Sequence, residues 1–109
     1  MPNPATIPAL HYPVVRDLAL FDAAGPRPQF LVDGAKLKVL VAALEPGQCI
    51  PAHPETLAIY YFIEGDGMMT VNDDTFPVQA GTAVIAPPGA SRGMEAGTRL
   101  VFLAAKAGE

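Results

Sequence analysis

Two glycine-anchored segments hold most of the side chains in this chain that can do chemistry. The first is Gly47-Gln48-Cys49-Ile50-Pro51-Ala52-His53-Pro54-Glu55, which runs on to Glu64-Gly65-Asp66-Gly67. The second is Gly81-Thr82-Ala83-Val84-Ile85-Ala86-Pro87-Pro88-Gly89-Ala90-Ser91-Arg92. His53 and Glu55 lie two residues apart, so in an extended chain both fall on one side. An imidazole beside a carboxylate can pass a proton or contribute to a cation site. Arg92 can do neither. Its guanidinium stays protonated, offers five donors and no lone pair, and suits a carboxylate better than a cation. Tyr60 adds a hydroxyl, Cys49 a thiol, and Met94 a flexible apolar filler. Cys49 needs a nearby cation to become nucleophilic; otherwise it is a small apolar residue.

The elements that must position these groups read as short strands. Val14 to Phe21 is one β-favouring run, closed by Asp22-Ala23-Ala24-Gly25-Pro26. Gln29 to Val32 and Ala35 to Leu44 flank Asp33-Gly34, a strong hairpin signal. Leu57 to Glu64 is dense in β-branched and aromatic residues. Met68 to Asn72, Thr75 to Val78, Thr82 to Ala86 and Arg99 to Ala105 follow, separated by Gly, Pro and Asp turns. Eight to ten short strands with no 3.6-residue stripe predict an all-β sandwich or barrel. The run from Leu57 to Glu64 is apolar on both faces, although one face of an antiparallel sheet normally meets water. It should therefore be covered twice, by its own core and by either an N-terminal arm or a second subunit.

In their glycine and proline spacing, the two segments resemble the paired motifs of the cupin superfamily over about Leu44 to Gly93. The resemblance implies an antiparallel double-stranded β-helix, or jelly-roll barrel, whose relatives usually hold a metal on three histidines and a glutamate. Carried over residue by residue, His53 takes the first histidine place and Glu55 the second. Ala58 or Tyr60 takes the glutamate place, depending on whether Gly65 or Gly67 is the anchor. Arg92 takes the last histidine place. If the strand alternation of the family applies, His53, Glu55, Tyr60 and Arg92 point into the barrel, and Cys49 and Met94 share their parity. His53 and Glu55 alone fall short of the three or four protein ligands a metal needs, so neither a metal nor another cofactor is expected. An ion pair between Glu55 and Arg92 would then stand where the metal stood. Alternatively, Arg92 would fork onto a carboxylate of the ligand.

Composition narrows the function classes. One domain is expected over 1–109, with an extended arm over about 1–13, where Pro2, Pro4, Pro8 and Pro13 forbid a helix. The net charge is -4, and seven scattered Lys and Arg form no basic stripe, which argues against nucleic acid. The single cysteine and the absence of a secretory pattern suit a reducing cytoplasm. No apolar run approaches the ~20 residues that span a bilayer. Half the residues are hydrophobic, which favours burial in a homodimer. The reading is a small-molecule-binding protein whose pocket is built from His53, Glu55, Tyr60, Arg92, Cys49 and Met94, with a carboxylate as candidate ligand. Two alternatives remain: a metal-dependent cupin enzyme of dioxygenase, isomerase or decarboxylase type, or a metal-free acid–base enzyme, each using His53 and Glu55.

Overall fold

The computed structural model describes residues 9–108; the expected arm lies outside the described residues as far as Pro8. From Ala9 to Tyr12 the chain is exposed and has no regular structure. Nine strands follow: β1 Gln29–Asp33, β2 Leu37–Leu44, β3 Cys49–Pro54, β4 Ala58–Glu64, β5 Asp66–Val71, β6 Asp74–Gln79, β7 Ala83–Ala86, β8 Ser91–Ala96 and β9 Leu100–Ala107. Their pairing gives a five-stranded sheet, β1-β2-β9-β4-β7, and a four-stranded sheet, β3-β8-β5-β6. All the pairs are antiparallel. From β2 onward the chain passes repeatedly between the two sheets, the winding of a double-stranded β-helix. The hydrogen-bond ladders leave the sheets separate, so the expected barrel is a two-sheet jelly roll whose sides do not close.

Alternation along each strand builds the core. In β2, Leu40, Ala42 and Leu44 face the other sheet, while Val41 and Ala43 face outward. In β9, Leu100, Phe102 and Ala104 face inward beside Tyr60 and Phe62 of β4. The Phe102 ring lies 5.9 Å from that of Tyr60 and 5.7 Å from that of Phe62, both tilted. Such pairs add about 1 kcal/mol beyond their buried area.

The stretch Val14 to Phe21 is not a strand. Val15–Leu18 forms one turn of 3₁₀ helix, with the Ala19 N–H donating to the Arg16 carbonyl. The turn brings Val15 and Ala19, four residues apart, onto the same apolar surface. Together with Phe21 they pack on Val41, Ala43 and Val101, on the outer face of the five-stranded sheet. Arg16 holds this segment with a two-pronged pair to Glu64, both contacts at 2.9 Å. The second cover expected over β4 is thus partly internal: Ile63 lies under this segment, whereas Ile59 and Tyr61 remain 40% and 46% exposed.

Candidate functional site

The site begins with an irregularity in β3. Ile50 pairs with Met94 and His53 with Arg92, so three steps along β3 match two along β8. That extra residue is a β-bulge, and it puts Ile50 and His53 on the same side although their spacing is odd. Gly93 makes room for it. A Cβ there would lie 2.6 Å from the Ile50 carbonyl oxygen and 2.8 Å from the Ala52 nitrogen. β3 also contains Pro51 and Pro54, which an edge strand such as this one tolerates.

The bulge decides the fate of Cys49. Its partner across the ladder is Glu95, on the far side from Met94, and its thiol is exposed with Sγ 3.6 Å from the Gly47 carbonyl. Cys49 is therefore not a pocket residue. Simple alternation from His53 placed it inside, and the inserted residue reverses that parity.

At the end of β3, the His53 ring is held at both nitrogens. Nδ1 lies 2.9 Å from the Pro51 carbonyl and Nε2 2.8 Å from Glu55 Oε2. Glu55 in turn accepts from Lys106 Nζ, 2.9 Å from each carboxylate oxygen. Burial alone would push the Glu55 carboxyl up, but the hydrogen bonds and charges of Lys106, then of His53, outweigh it and hold the carboxyl below its ordinary value. Lys106 is the residue that sequence reasoning missed. It continues the inward positions Leu100, Phe102 and Ala104 by one more step along β9, and a charged residue on an otherwise apolar parity was the available signal.

Arg92 is 2% exposed, one of the largest fully buried side chains among the described residues. It makes no pair with the Glu55 carboxylate. Nε donates to the Ala90 carbonyl at 3.1 Å, and Nη1 to that of Thr56 at 2.6 Å. Nη2 reaches the carbonyls of Ala90, Pro87 and Glu55 at 2.9, 3.0 and 3.1 Å. The expected Glu55–Arg92 ion pair is thus replaced by two separate arrangements. Arg92 takes main-chain oxygens that its fork can reach from β8, and Glu55 takes Lys106 across the mouth. The loop after β7 and the loop after β3 are both tied to this one guanidinium; the Gly89 N–H adds a 2.8 Å bond to the Glu55 carbonyl. Gly89 adopts φ +79°, which a side chain would oppose.

His53, Glu55, Tyr60, Arg92, Met94 and Lys106 all border one cavity of about 170 Å³. Of the two residues competing for the family's glutamate place, Tyr60 lines this cavity and Ala58 does not. Leu40, Ile50, Met94 and Phe102 make its floor apolar, and Pro26, Pro28 and Phe30 flank it. Burial raises the Tyr60 hydroxyl above its ordinary value, and the hydrogen bond and charge of Arg92 offset only part of this, so the hydroxyl stays neutral. The potential metal donors here are His53 and Glu55, with two cations beside them. Among the described residues no group of three or more His, Cys, Asp or Glu is placed to hold a metal ion.

Comparison with known proteins agrees with this architecture. The family model described as "Cupin domain" matches residues 40–105, more than half of the chain. The chain is a cupin. A conserved protein of unknown function from Streptococcus pyogenes has a similar structure, with a TM-score of 0.83 at 19% identity, over 94% of this chain and 91% of that one. A Thermus thermophilus protein gives 0.83 at 21% identity, over 91% and 98% of the two chains. A mutant salicylate 1,2-dioxygenase from Pseudoaminobacter salicylatoxidans gives 0.71 at 18% identity, over 78% of this cupin but 27% of the dioxygenase. At such identities the likeness speaks for the fold alone. No curated protein matches the sequence significantly. Among the described residues, no helix of this cupin is long and apolar enough to cross a membrane.

Proposed function

We propose that this cupin binds a small, mostly apolar molecule in the cavity between its sheets, with His53, Glu55 and Lys106 receiving the ligand's polar end. What supports the reading is the division of the cavity into an apolar floor and a charged rim, the usual build of a small-molecule site. The metal-dependent alternative is poorly served by the donor set. An imidazole and a carboxylate are flanked by an ammonium and a guanidinium, which repel a cation and cannot ligate it. We read the metal site as degenerate. Acid–base catalysis is also disfavoured, because a general base must present a free lone pair to its substrate. The neighbours of both His53 nitrogens are protein oxygens, those of Pro51 and Glu55, and Glu55 is held by Lys106.

The volume sets the ligand's size. A cavity on the order of 150 Å³ accommodates a benzene ring, so about 170 Å³ admits one ring with a small substituent. Ligand-detected NMR with a panel of single-ring fragments should yield binders whose signals are lost in Met94→Trp, which fills the floor. If no fragment binds the wild type, or if binding survives in a folded Met94→Trp, the cavity is not the site.

We also propose a cytoplasmic homodimer joined through the bare half of the five-stranded sheet. Leu37, Leu57, Ile59, Tyr61 and Ile85 are exposed there, and Ile59 and Ile85 are neighbours in the ladder. Light scattering should give twice the chain mass for wild type and the chain mass for Ile59→Asp. A monomeric wild type at tens of micromolar would refute the dimer.

A further inference from the structure

We infer that the ligand is a monoanion of single-ring size, and that Glu55 is the resident carboxylate whose place on Lys106 it takes. This deepens the binding reading above and rests on it.

Charge distribution is the first ground. The chain has 11 acidic and seven basic residues. The cavity runs against that trend: Arg92 and Lys106 face it against Glu55, a surplus of one positive charge before His53 is counted. Opposite charges within a few ångströms in a partly dry site attract far more strongly than in water. An anion is therefore the charge class the site can hold, whereas an added cation would raise the surplus.

Donor arithmetic says which cation would receive it. A guanidinium has five N–H groups. The carbonyls of Ala90, Thr56, Glu55 and Pro87 engage Nε, one Nη1 hydrogen and both Nη2 hydrogens. At most one Nη1 hydrogen is left, with the Tyr60 hydroxyl as a further partner of the guanidinium, too little for a two-pronged grip on a carboxylate. Lys106 differs: among the described residues its ammonium is engaged only by the Glu55 side chain, and its side chain is 21% exposed. Exchanging that partner breaks no backbone contact.

Glu55 is also built to leave. It follows the last residue of β3, and its side chain is 26% exposed. Besides the cavity it borders two open surface grooves, one beside Pro88 and Leu57 and one beside Lys38 and Gly34. The carboxylate can rotate into either groove and remain hydrated, giving up its 2.8 Å contact with His53 Nε2 as well as Lys106, while its main-chain carbonyl stays bonded to Gly89 and Arg92. The loop would keep its shape while the side chain moves.

Benzoate, benzamide and benzamidine test this, being planar rings of matched size and shape that are anionic, neutral and cationic. NMR titration of the wild type should rank benzoate first, at least tenfold tighter than benzamide, with benzamidine weakest. Lys106→Met should erase the preference for benzoate and leave benzamide unchanged. Glu55→Gln should tighten benzoate severalfold, because the competing internal anion is gone. Thermal melts of both variants verify that they fold. Equal binding of benzoate and benzamide, or unchanged benzoate affinity in Glu55→Gln, overturns the inference while leaving the cavity as a binding site. Preference for benzamidine would assign Glu55 itself as the ligand's partner and likewise overturn it. Binding of none of the three, nor of any fragment, would defeat the binding reading as well.

Discussion

Arg92 and Lys106 are cations on the wall of the same cavity, and the protein treats them in opposite ways. Arg92 is buried and tied to the main chain of two loops, so moving it would break backbone contacts at several points. Lys106 is half-buried and held by one side chain that solvent can take over. The partner decides the role: carbonyls fixed in loops make a clamp, whereas a rotatable carboxylate makes an exchangeable contact.

The sharpest way to break this contrast is to remove each charge separately. Arg92→Met strips the Thr56 and Ala90 carbonyls of these donors and loosens both loops. Each buried carbonyl left without its donor costs about 1–3 kcal/mol. Equilibrium denaturation should show that loss; a drop of under about 1 kcal/mol would mean that the clamp is not structural. Gly93→Ala comes next. Its methyl group would press on backbone atoms of the bulge, an overpacking of about 1–3 kcal/mol. Lys106→Met should cost about 1 kcal/mol or less, as expected for a solvent-accessible pair, while its effect on anion affinity is large. A stability loss matching that of Arg92→Met would erase the distinction between the two cations.

Acid sharpens the comparison further. The carboxyls of Glu55 and Glu64 are both held below their ordinary value of 4.5, Glu55 by Lys106 and His53 against its burial, and Glu64 chiefly by its hydrogen bond from Arg16. A depressed carboxyl contributes stability that is fully present above the unfolded value and lost as pH falls through the folded one. Melting temperature should therefore be flat above about pH 5 and fall below about pH 4. Glu55→Gln and Glu64→Gln should each shrink that acid-side drop, whereas the Arg92 clamp, with no side-chain carboxylate in it, should contribute nothing to it.

Much of the fold was legible because its signals are local. Asp33-Gly34 marked the β1–β2 hairpin, and the apolar density of Leu57 to Glu64 marked β4. The first segment misled because Val14 to Phe21 has strand-favouring composition, and its packed residues Val15, Ala19 and Phe21 fit a period of two as readily as the 3₁₀ turn that forms. β3 was hard to see as a strand, since Cys-Ile-Pro-Ala-His-Pro contains two prolines and owes its place to an edge position. In the site, His53, Glu55, Tyr60, Arg92 and Met94 were nominated through the resemblance to the cupin motifs and do border one cavity. Their partners were not legible. Glu55 and Lys106 are 51 residues apart, and nothing in either neighbourhood encodes that meeting. The carbonyls around Arg92 come from loops whose course depends on the finished fold.

Gly93 offers the cavity no side chain, yet it governs the inventory of side chains that the cavity has. By letting the neighbouring strand carry one residue too many, it shifts the count, so that an isoleucine looks inward and a thiol looks out to water. Two proteins could share every residue of that strand and still present different interiors if a single methyl group shut out the extra residue. A nucleophile in the right column of a motif is then no guarantee of a nucleophile within reach. A maleimide that labels Cys49 equally fast with the cavity filled or empty would display that separation directly.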